Sequence, residues 1–398
     1  FQAEDGIRDL VRSRGLGDVY KRQVLGTIVY TSVSVFINLK GGYNMKSTTK
    51  FVLGAAFGGL ALSMVSTTPA SALTDLNVIT ANNGSCSIYA QHVGRLTGAY
   101  ETNGVEVNLL NSETTIPYVA FLDTGDAEYV MLDSAQVLQM ANAGQPGSVV
   151  YEAYNFASEG IVVPADSPIK GLNDLPGSVI GLASDRDEIT TLIALDSVGL
   201  PGDSIETVVV GDAGPVMVDA LTSGRIDGFA GGSSDRANIQ AGGVAIRNIT
   251  PMAVSANPGN SFAMWDSRMD ELDGATAGFL RGWAMAQHMG VLDTKFVISV
   301  CAVATPEVFE NMQTGSNLIN GSVYIYQLRR TNKYGEPRNW IWAQIQGPYI
   351  GLGEIDGFID PATFVDHRFI DRASDWDTYE VVELMDAWAA ANPDKMVP

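Results

Sequence analysis

From residue 76 onward, short apolar runs typical of β-strands alternate with segments that have helical spacing. The run LNVITA at 76–81 is strand-like, whereas SAQVLQMANAG at 134–144 has the spacing of a helix. This βαβ order is typical of a mostly parallel sheet with helices on its faces. The sequence therefore predicts the α/β fold class.

The chain has 398 residues and is 46% hydrophobic, so we expect two globular lobes rather than one ordinary domain. Between 179 and 232, three predicted strands and two helices form a compact second unit. We expect the chain to cross into this unit near 161–164 and to return near 249–254. The predicted organisation is a first lobe that begins with 73–163, a second lobe over 164–254, and 255–398 returning to the first lobe with further C-terminal helices.

Residues 1–44 do not share this pattern. Residues 1–23 mix charges and glycines without periodicity and resemble a translated sequencing adapter, with a short disordered leader as the alternative. The apolar stretch 24–39 is shorter than the ~20 residues that a membrane-spanning helix needs. We interpret 24–44 as spurious upstream sequence, with a signal anchor as the alternative, and exclude 1–44 from the fold.

Residues 45–72 have the three parts of an export signal. Lys46 and Lys50 supply positive charge, FVLGAAFGGLALSM supplies an apolar segment, and PASA at 69–72 supplies the small residues of a cleavage site. We therefore predict a signal peptide over 45–72 that is cleaved near Ala72. The mature protein would then be exported and begin at Leu73.

The chain is strongly acidic, with 45 acidic residues against 24 lysines and arginines and a net charge of −21. Such a charge repels phosphate backbones and anionic lipid surfaces, which disfavours binding to nucleic acid or to a membrane surface. The alternative is that the acidity serves solubility alone. Because no long apolar span follows residue 72 and like charges repel, we predict a soluble monomer.

Metal and catalytic sites are not predicted. Two cysteines, Cys86 and Cys301, and three scattered histidines are too few for a tetrahedral zinc site or a disulfide scaffold. We expect no metal and no cofactor, and the two cysteines either form one disulfide after export or remain buried thiols. The sequence has no G-x-S-x-G, G-x-x-x-x-G-K or H-E-x-x-H motif, so no catalytic set is predicted.

Two stretches carry a resemblance to a known family. SPIKGLNDLPG at 167–177 is followed by VIGLAS and by a helix that ends at VGL, 198–200. GDAGP at 211–215 is followed by ALTSGRIDG at 220–228. In order and spacing these stretches resemble ABC-transporter periplasmic substrate-binding proteins of the nitrate, sulfonate, taurine and thiamine-precursor group. The resemblance covers roughly 76–289, and the rest of the chain matches the family poorly.

The resemblance implies the type II periplasmic-binding-protein fold, in which two α/β lobes are joined by a hinge of two chain crossings. It also implies a periplasmic protein that captures a small molecule by hinge closure and delivers it to an ABC transporter permease, without catalysis. Two alternatives stay open. One is an enzyme of the same fold that acts on a small organic acid or heterocycle, and the other is a periplasmic sensor subunit.

Candidate ligand contacts lie in the turns after the predicted strands, because open α/β sheets bind ligands beyond the carboxyl ends of their strands. Aromatic side chains near these turns could stack on a planar ligand, and the resemblance places the loop of Asp126 near the ligand. Arg186 is the only base in these turns, so their carboxylates favour a cationic, amine-bearing or neutral heterocyclic ligand. The candidate residues are Asn82, Ser85, Tyr89, Asp126, Ser134, Tyr154, Phe156, Ser184, Asp185, Arg186, Asp212, Ala213, Gly232 and Ser233.

Overall fold

The computed structural model describes residues 72–81, 83–111, 117–327 and 333–398, which lie in one compact unit. The adapter-like segment, the upstream segment and the predicted signal peptide before Ala72 lie outside the described residues. Within the described ranges, no helix has the length and apolarity that crossing a bilayer requires.

The first lobe is built on a five-stranded sheet. Its strands are β1 (Thr74–Ile79), β2 (Val105–Leu109), β3 (Tyr129–Leu132), β4 (Gly147–Glu152) and β10 (Ser261–Trp265). Their order across the sheet is β2-β1-β3-β10-β4. β1 pairs in parallel with β2 and β3, whereas β10 pairs antiparallel with β3 and β4. Four strands therefore share one direction, and β10 opposes them.

The second lobe repeats this arrangement. Its strands are β5 (Gly160–Pro164), β6 (Val179–Leu182), β7 (Glu206–Val209), β8 (Gly228–Gly231) and β9 (Ile246–Asn248). Their order is β7-β6-β8-β5-β9, and only β5 opposes the other four. The predicted α/β class and the two lobes with mostly parallel sheets are confirmed.

The opposing strand of each sheet is the one that the chain enters directly after a crossing. Because Gly160–Pro164 already pairs with β8 and β9, the first crossing occupies 153–159, ahead of the predicted 161–164. The return lies before Ser261, where β10 starts, and after α7 (Met252–Ser255), which packs on the second lobe. Both crossings are thus displaced from their predicted positions, since the sheet that β5 or β10 joins is decided by pairing with strands distant in the sequence.

Helices cover the sheets and occupy most of the chain after β10. The remaining helices are α1 (Ala90–Leu96), α2 (Val119–Thr124), α3 (Ser134–Asn142), α4 (Asp187–Asp196), α5 (Gly214–Thr222), α6 (Ser233–Ala241), α8 (Asp273–Leu292), α9 (Thr294–Ala304), α10 (Met312–Gln327), α11 (Asn339–Leu352), α12 (Ile370–Ala373) and α13 (Thr378–Ala391). α12 and α13 pack on α8 of the first lobe. α10 also contacts α6 and α11 also contacts α4, so these two helices reach the second lobe.

An aromatic cluster fixes the returning strand β10 beneath α8. Phe279 and Trp283 are one helical turn apart and so lie on the same face of α8. The ring of Phe262 on β10 lies 5.0 Å from that of Phe279 and 4.6 Å from that of Trp283, in edge-on arrangements that aromatic pairs favour. All three side chains are fully buried.

Cys86 and Cys301 form a disulfide, which settles the alternative left open by the sequence. Cys86 begins a 3-10 helix directly after Ser85, and Cys301 lies in α9. Both residues are fully buried in the core of the first lobe. Since they are 215 residues apart, the closed covalent ring contains the entire second lobe.

A buried ion pair attaches α11 to the end of β4. The Nε atom of Arg338 donates to Oε2 of Glu152 at 2.8 Å, and the backbone N–H of Arg338 donates to Oε1 at 2.9 Å. Trp342 Nε1 also donates to Oε1, at 3.1 Å. Burial raises the pKa of the Glu152 carboxyl even so, because desolvation outweighs the guanidinium and the hydrogen bonds. The pair therefore depends on every one of these donors.

Removing one partner of this pair should be costly. Arg338→Ala leaves Glu152 buried without its counter-charge, and we expect the free energy of unfolding to fall by about 3–5 kcal/mol. Urea denaturation measures this change in the free energy of unfolding. The control is Arg372→Ala, which breaks a pair with Asp273 at the surface and should cost far less. Equal losses in the two variants would show that the buried pair has no special role.

The disulfide should contribute measurably to stability. The double variant Cys86→Ser/Cys301→Ser removes the cross-link, so the unfolded chain gains conformational entropy. We expect its free energy of unfolding to be about 2–4 kcal/mol lower, which calorimetry would detect as a lower Tm. Reductant should lower the Tm of the unmodified protein to the same value and leave the double variant unchanged. A Tm insensitive to both treatments contradicts this expectation.

Candidate functional site

A cleft of about 750 Å³ lies between the two lobes. Its walls are turns that follow strands of both sheets, together with residues from both crossings and Tyr349 of α11. The first lobe contributes the turns at Ser85 and Asp133, and the second lobe contributes those at Ser184 and Gly232. The cleft thus lies where the carboxyl ends of strands from both sheets meet.

On the first-lobe wall, the side chains are fixed by short hydrogen bonds. The carboxylate of Asp133 caps α3 by accepting from the backbone N–H of Gln136 at 2.8 Å, and its pKa is raised by burial. Ser134 Oγ donates to the carbonyl of Pro258 in the return crossing at 2.6 Å. The hydroxyl of Tyr154 donates to the carbonyl of Ser87 at 2.7 Å. This wall is therefore rigid, and it carries one negative charge.

On the second-lobe wall, two aspartates take equivalent positions. Asp187 Oδ2 accepts from the backbone N–H and from the hydroxyl of Ser184, both at 2.9 Å. Asp235 Oδ2 accepts from the backbone N–H of Gly232 at 2.7 Å. Each aspartate is only 8% exposed. Among the described residues, the second carboxylate oxygen of each makes no hydrogen bond.

Burial raises the pKa of Asp187 and of Asp235 to about 6. The pKa of Asp187 is raised further by the charge of Glu159, and that of Asp235 by the charges of Asp187 and Asp212. Glu159 acts in the same direction on the pKa of Asp133. The carboxylates of both lobes therefore lie close enough to repel one another. We call Asp133, Glu159, Asp187, Asp212 and Asp235 the acidic set.

Two arginines lie beside the acidic set, and neither neutralises it. Arg186 reaches across the cleft to Asp133, but the charged atoms are 4.0 Å apart and the arginine side chain is 71% exposed. Arg236 directs its guanidinium to the carbonyl oxygens of Gly231 at 3.1 Å and Ser158 at 2.8 Å. The cleft therefore has a negative field. Within the described residues, no group of three or more potential metal ligands is positioned to hold a metal ion.

Eight of the predicted contact residues lie in the cleft wall. They come from both lobes and include the turns after three strands of the second sheet: Ser85, Ser134, Tyr154, Ser184, Arg186, Asp212, Gly232 and Ser233. Their contact with a ligand stays a prediction.

The structure places the predicted aromatic contacts differently. Tyr89 is fully buried and donates its hydroxyl to the carbonyl of Gln287 at 2.7 Å, so it belongs to the first-lobe core rather than to the cleft. Phe156 is outside the cleft wall, with the guanidinium of Arg338 5.6 Å from its ring centre. Both side chains lie outside the cleft wall because they contact residues that are distant in the sequence.

Three further predicted contacts, Asp126, Asp185 and Ala213, also lie outside the cleft wall. Asp126 is exposed and accepts from the hydroxyl of Thr124 at 2.7 Å, which stabilises its own turn. Asp185 and Ala213 lie in the expected turns but are exposed to solvent on their outer side. Asn82 lies outside the described residues.

The sequence analysis did not identify many of the cleft residues, among them two aspartates, a glutamate and a tyrosine. Asp187 and Asp235 each lie three residues after the turn residue that they cap, a spacing typical of helix starts that could have identified them. Glu159 lies in a crossing and Tyr349 in a C-terminal helix. Neither has a sequence signal, because tertiary packing alone brings them to the cleft.

The two buried aspartates should make stability depend on pH. Their folded pKa of about 6 is higher than the ordinary value of 3.8. Between these values the folded chain holds more protons than the unfolded chain, so stability falls as pH rises. The double variant Asp187→Asn/Asp235→Asn keeps an acceptor oxygen at each position. We expect its Tm to be several degrees above that of the unmodified protein near pH 7.5, and the two Tm values to be the same near pH 3.5.

The measurement is a Tm series across this pH range. Asp185→Asn, which changes an exposed neighbour, should follow the unmodified protein at every pH. An offset between the double variant and the unmodified protein that is constant with pH would contradict the expectation.

Comparison with known proteins places this geometry in context. A family model described as NMT1/THI5 like matches residues 88–272. Among curated proteins, none matches the sequence.

Solved structures share the fold at low identity. The periplasmic aliphatic sulphonate binding protein of Escherichia coli is 14% identical, with a TM-score of 0.57 over 75% of this chain and 92% of that one. The periplasmic nitrate-binding protein of Synechocystis PCC 6803 is 12% identical, with a TM-score of 0.50 over 82% of this chain and 91% of that one. The desulfurization enzyme DSZB is 14% identical, with a TM-score of 0.51 over 75% of this chain and 98% of that one.

The resemblance noted in the sequence is thus confirmed, together with the two-lobed architecture that it implied. The fold itself also hosts an enzyme, so architecture alone does not assign an activity. Residues 88–272 match the NMT1/THI5-like family model, and the chain has the α/β fold of periplasmic sulfonate-binding and nitrate-binding proteins.

Proposed function

We propose that this chain is an exported solute-binding protein that captures a small molecule between its lobes and delivers it to an ABC importer. The observation that carries the proposal is the cleft of about 750 Å³, which is walled by strand-end turns of both lobes and by both crossings. A cavity of this size suits a small organic ligand. Because both lobes contribute to the walls, a bound ligand would favour the closed arrangement.

Export to the periplasm is part of the proposal. The signal peptide predicted over 45–72 would be removed near Ala72. The importer permease is the proposed partner, and the mature protein is proposed to act as a monomer. A periplasmic sensor subunit would use the same cleft, and a neighbouring permease gene would distinguish transport from sensing.

The enzyme alternative has less support from the cleft. Its described wall residues include serines but no cysteine and no histidine. Two wall serines, Ser158 and Ser184, donate their hydroxyls to carboxylates and not to a histidine, the usual base of a nucleophilic serine. We therefore propose binding without chemical change of the ligand.

Capture can be tested by filling the cleft. We expect a ligand from a library of nitrate, sulfonates, amino acids, amines and thiamine precursors to raise the Tm in a saturable way. Ser233→Trp places a large ring in the cleft wall and should abolish this rise. The matched control is Ala213→Trp, at an exposed turn outside the wall, and it should retain the rise.

The same samples report on closure and chemistry. Small-angle scattering should show a smaller radius of gyration with ligand, and mass spectrometry should recover the ligand unchanged. Recovery of the ligand with an altered mass would show that the protein catalyses a reaction and would contradict capture without chemical change. A rise in Tm that survives Ser233→Trp would place binding elsewhere.

A further inference from the structure

The protein's own carboxylates occupy three backbone N–H groups at the edge of the cleft. Ser184 N–H donates to Asp187, Gly232 N–H donates to Asp235, and Gln136 N–H donates to Asp133. Backbone N–H groups at strand-to-helix turns are groups that can bind anionic ligands. An anionic ligand would have to displace a covalently attached carboxylate from each of these three positions, and it would meet the other carboxylates of the acidic set. Both effects disfavour a sulfonate or nitrate.

The carboxylates have unused bonding capacity that faces the cleft. Asp187 and Asp235 line the cavity, are more than nine-tenths buried, and make hydrogen bonds only through Oδ2 among the described residues. Their Oδ1 atoms accept no hydrogen bond from a described residue and are not among the buried polar atoms without a partner, so they are open to the cleft. A ligand that brings N–H donors and positive charge can form charge-assisted hydrogen bonds to them.

The rest of the acidic set lies around the same space. Glu159 accepts a hydrogen bond from Ser158 Oγ at 3.0 Å and is otherwise open to the cleft. Asp212 lines it from the second lobe and Asp133 from the first. Five carboxylates thus line the cavity, whereas Arg186 is the one base among its described wall residues and the guanidinium of Arg236 lies behind the wall near Asp235. The excess negative charge spans both lobes.

The size and the aromatic content of the cavity indicate an organic ligand rather than a bare metal ion. No group of described side chains is positioned to hold a metal, and about 750 Å³ is far more than an ion needs. Tyr118, Tyr154 and Tyr349 line the walls. Tyrosine rings beside carboxylates are a combination that favours cations, because the ring faces are negative.

We infer that the ligand of this cleft is a small organic amine that carries at least one ammonium group and no free acidic group. This inference rests on the proposed function. The N–H donors of the ammonium group bond the free oxygens of Asp187 and Asp235, with Glu159 supplying a third carboxylate from the crossing. Neutralising like charges on opposing lobes would also favour closure, so the ligand's charge would drive the conformational change.

The experiment is titration calorimetry with the probes putrescine and spermidine, and with nitrate, methanesulfonate and taurine for comparison. We expect an amine to bind, with an affinity that falls as salt is added. Asp187→Asn/Asp235→Asn should weaken the amine at least about tenfold, as loss of charge-assisted hydrogen bonds does. Glu159→Gln, which keeps the contact to Ser158, should weaken it in the same direction.

The matched control is Asp185→Asn, which removes one negative charge from the same turn but from an exposed side chain outside the wall. It should bind the amine like the unmodified protein. A melting curve for each variant shows that the fold is intact, so that a loss of binding is a loss of contact.

The outcomes separate the two proposals. Binding of nitrate or a sulfonate, blocked by Ser233→Trp, would overturn the amine inference and leave capture standing. Amine binding that is unchanged in Asp187→Asn/Asp235→Asn and in Glu159→Gln would also overturn the inference, because the amine would then bind outside the acidic set. Absence of binding by every amine probe would also overturn it, and conversion of a bound amine to a product would overturn the proposed capture function.

Discussion

The buried pair of Glu152 and Arg338 determines how the C-terminal part of the chain meets the two lobes. Glu152 is the last residue of β4, where the chain leaves the first lobe. Its partner Arg338 directly precedes α11. Because both charges are removed from water, each holds the other in place, and α11 is fixed on the crossing. This position brings Tyr349 to the cleft and α11 onto α4, where buried residues of α11 such as Trp342 and Ile345 also pack into the hydrophobic core.

Much of the fold could be predicted because its signals are local. Apolar runs such as 179–182 and Gly224 just past the end of α5 mark strands and helix ends by backbone chemistry alone. The turns after β6 and β8 could be predicted because the same local signals mark the ends of these strands. The opposing direction of β5 and β10 was not visible, since the pairing of a strand with its neighbours is decided across the chain and not within the strand.

The candidate site was predictable only where topology decides it. Strand-end turns converge whatever their side chains are, which is why Ser184, Asp212 and Gly232 lie together. The burial of a side chain could not be predicted in this way. The sequence predicted that Tyr89 would stack on a ligand, but its hydroxyl donates to the carbonyl of Gln287 in α8 and its ring lies in the core. Glu159 and Tyr349 reach the cleft through a crossing and a helix whose positions depend on the pair described above.

The disulfide has a consequence for how this molecule can be taken apart. The ring closed by Cys86 and Cys301 includes both crossings and the whole second lobe. A protease that cuts any loop of that lobe therefore produces two pieces that remain one covalent molecule. Such a nicked protein would travel as a single species until it is reduced. In an oxidising compartment, a cut in the second lobe would not release that lobe from the one that carries the disulfide.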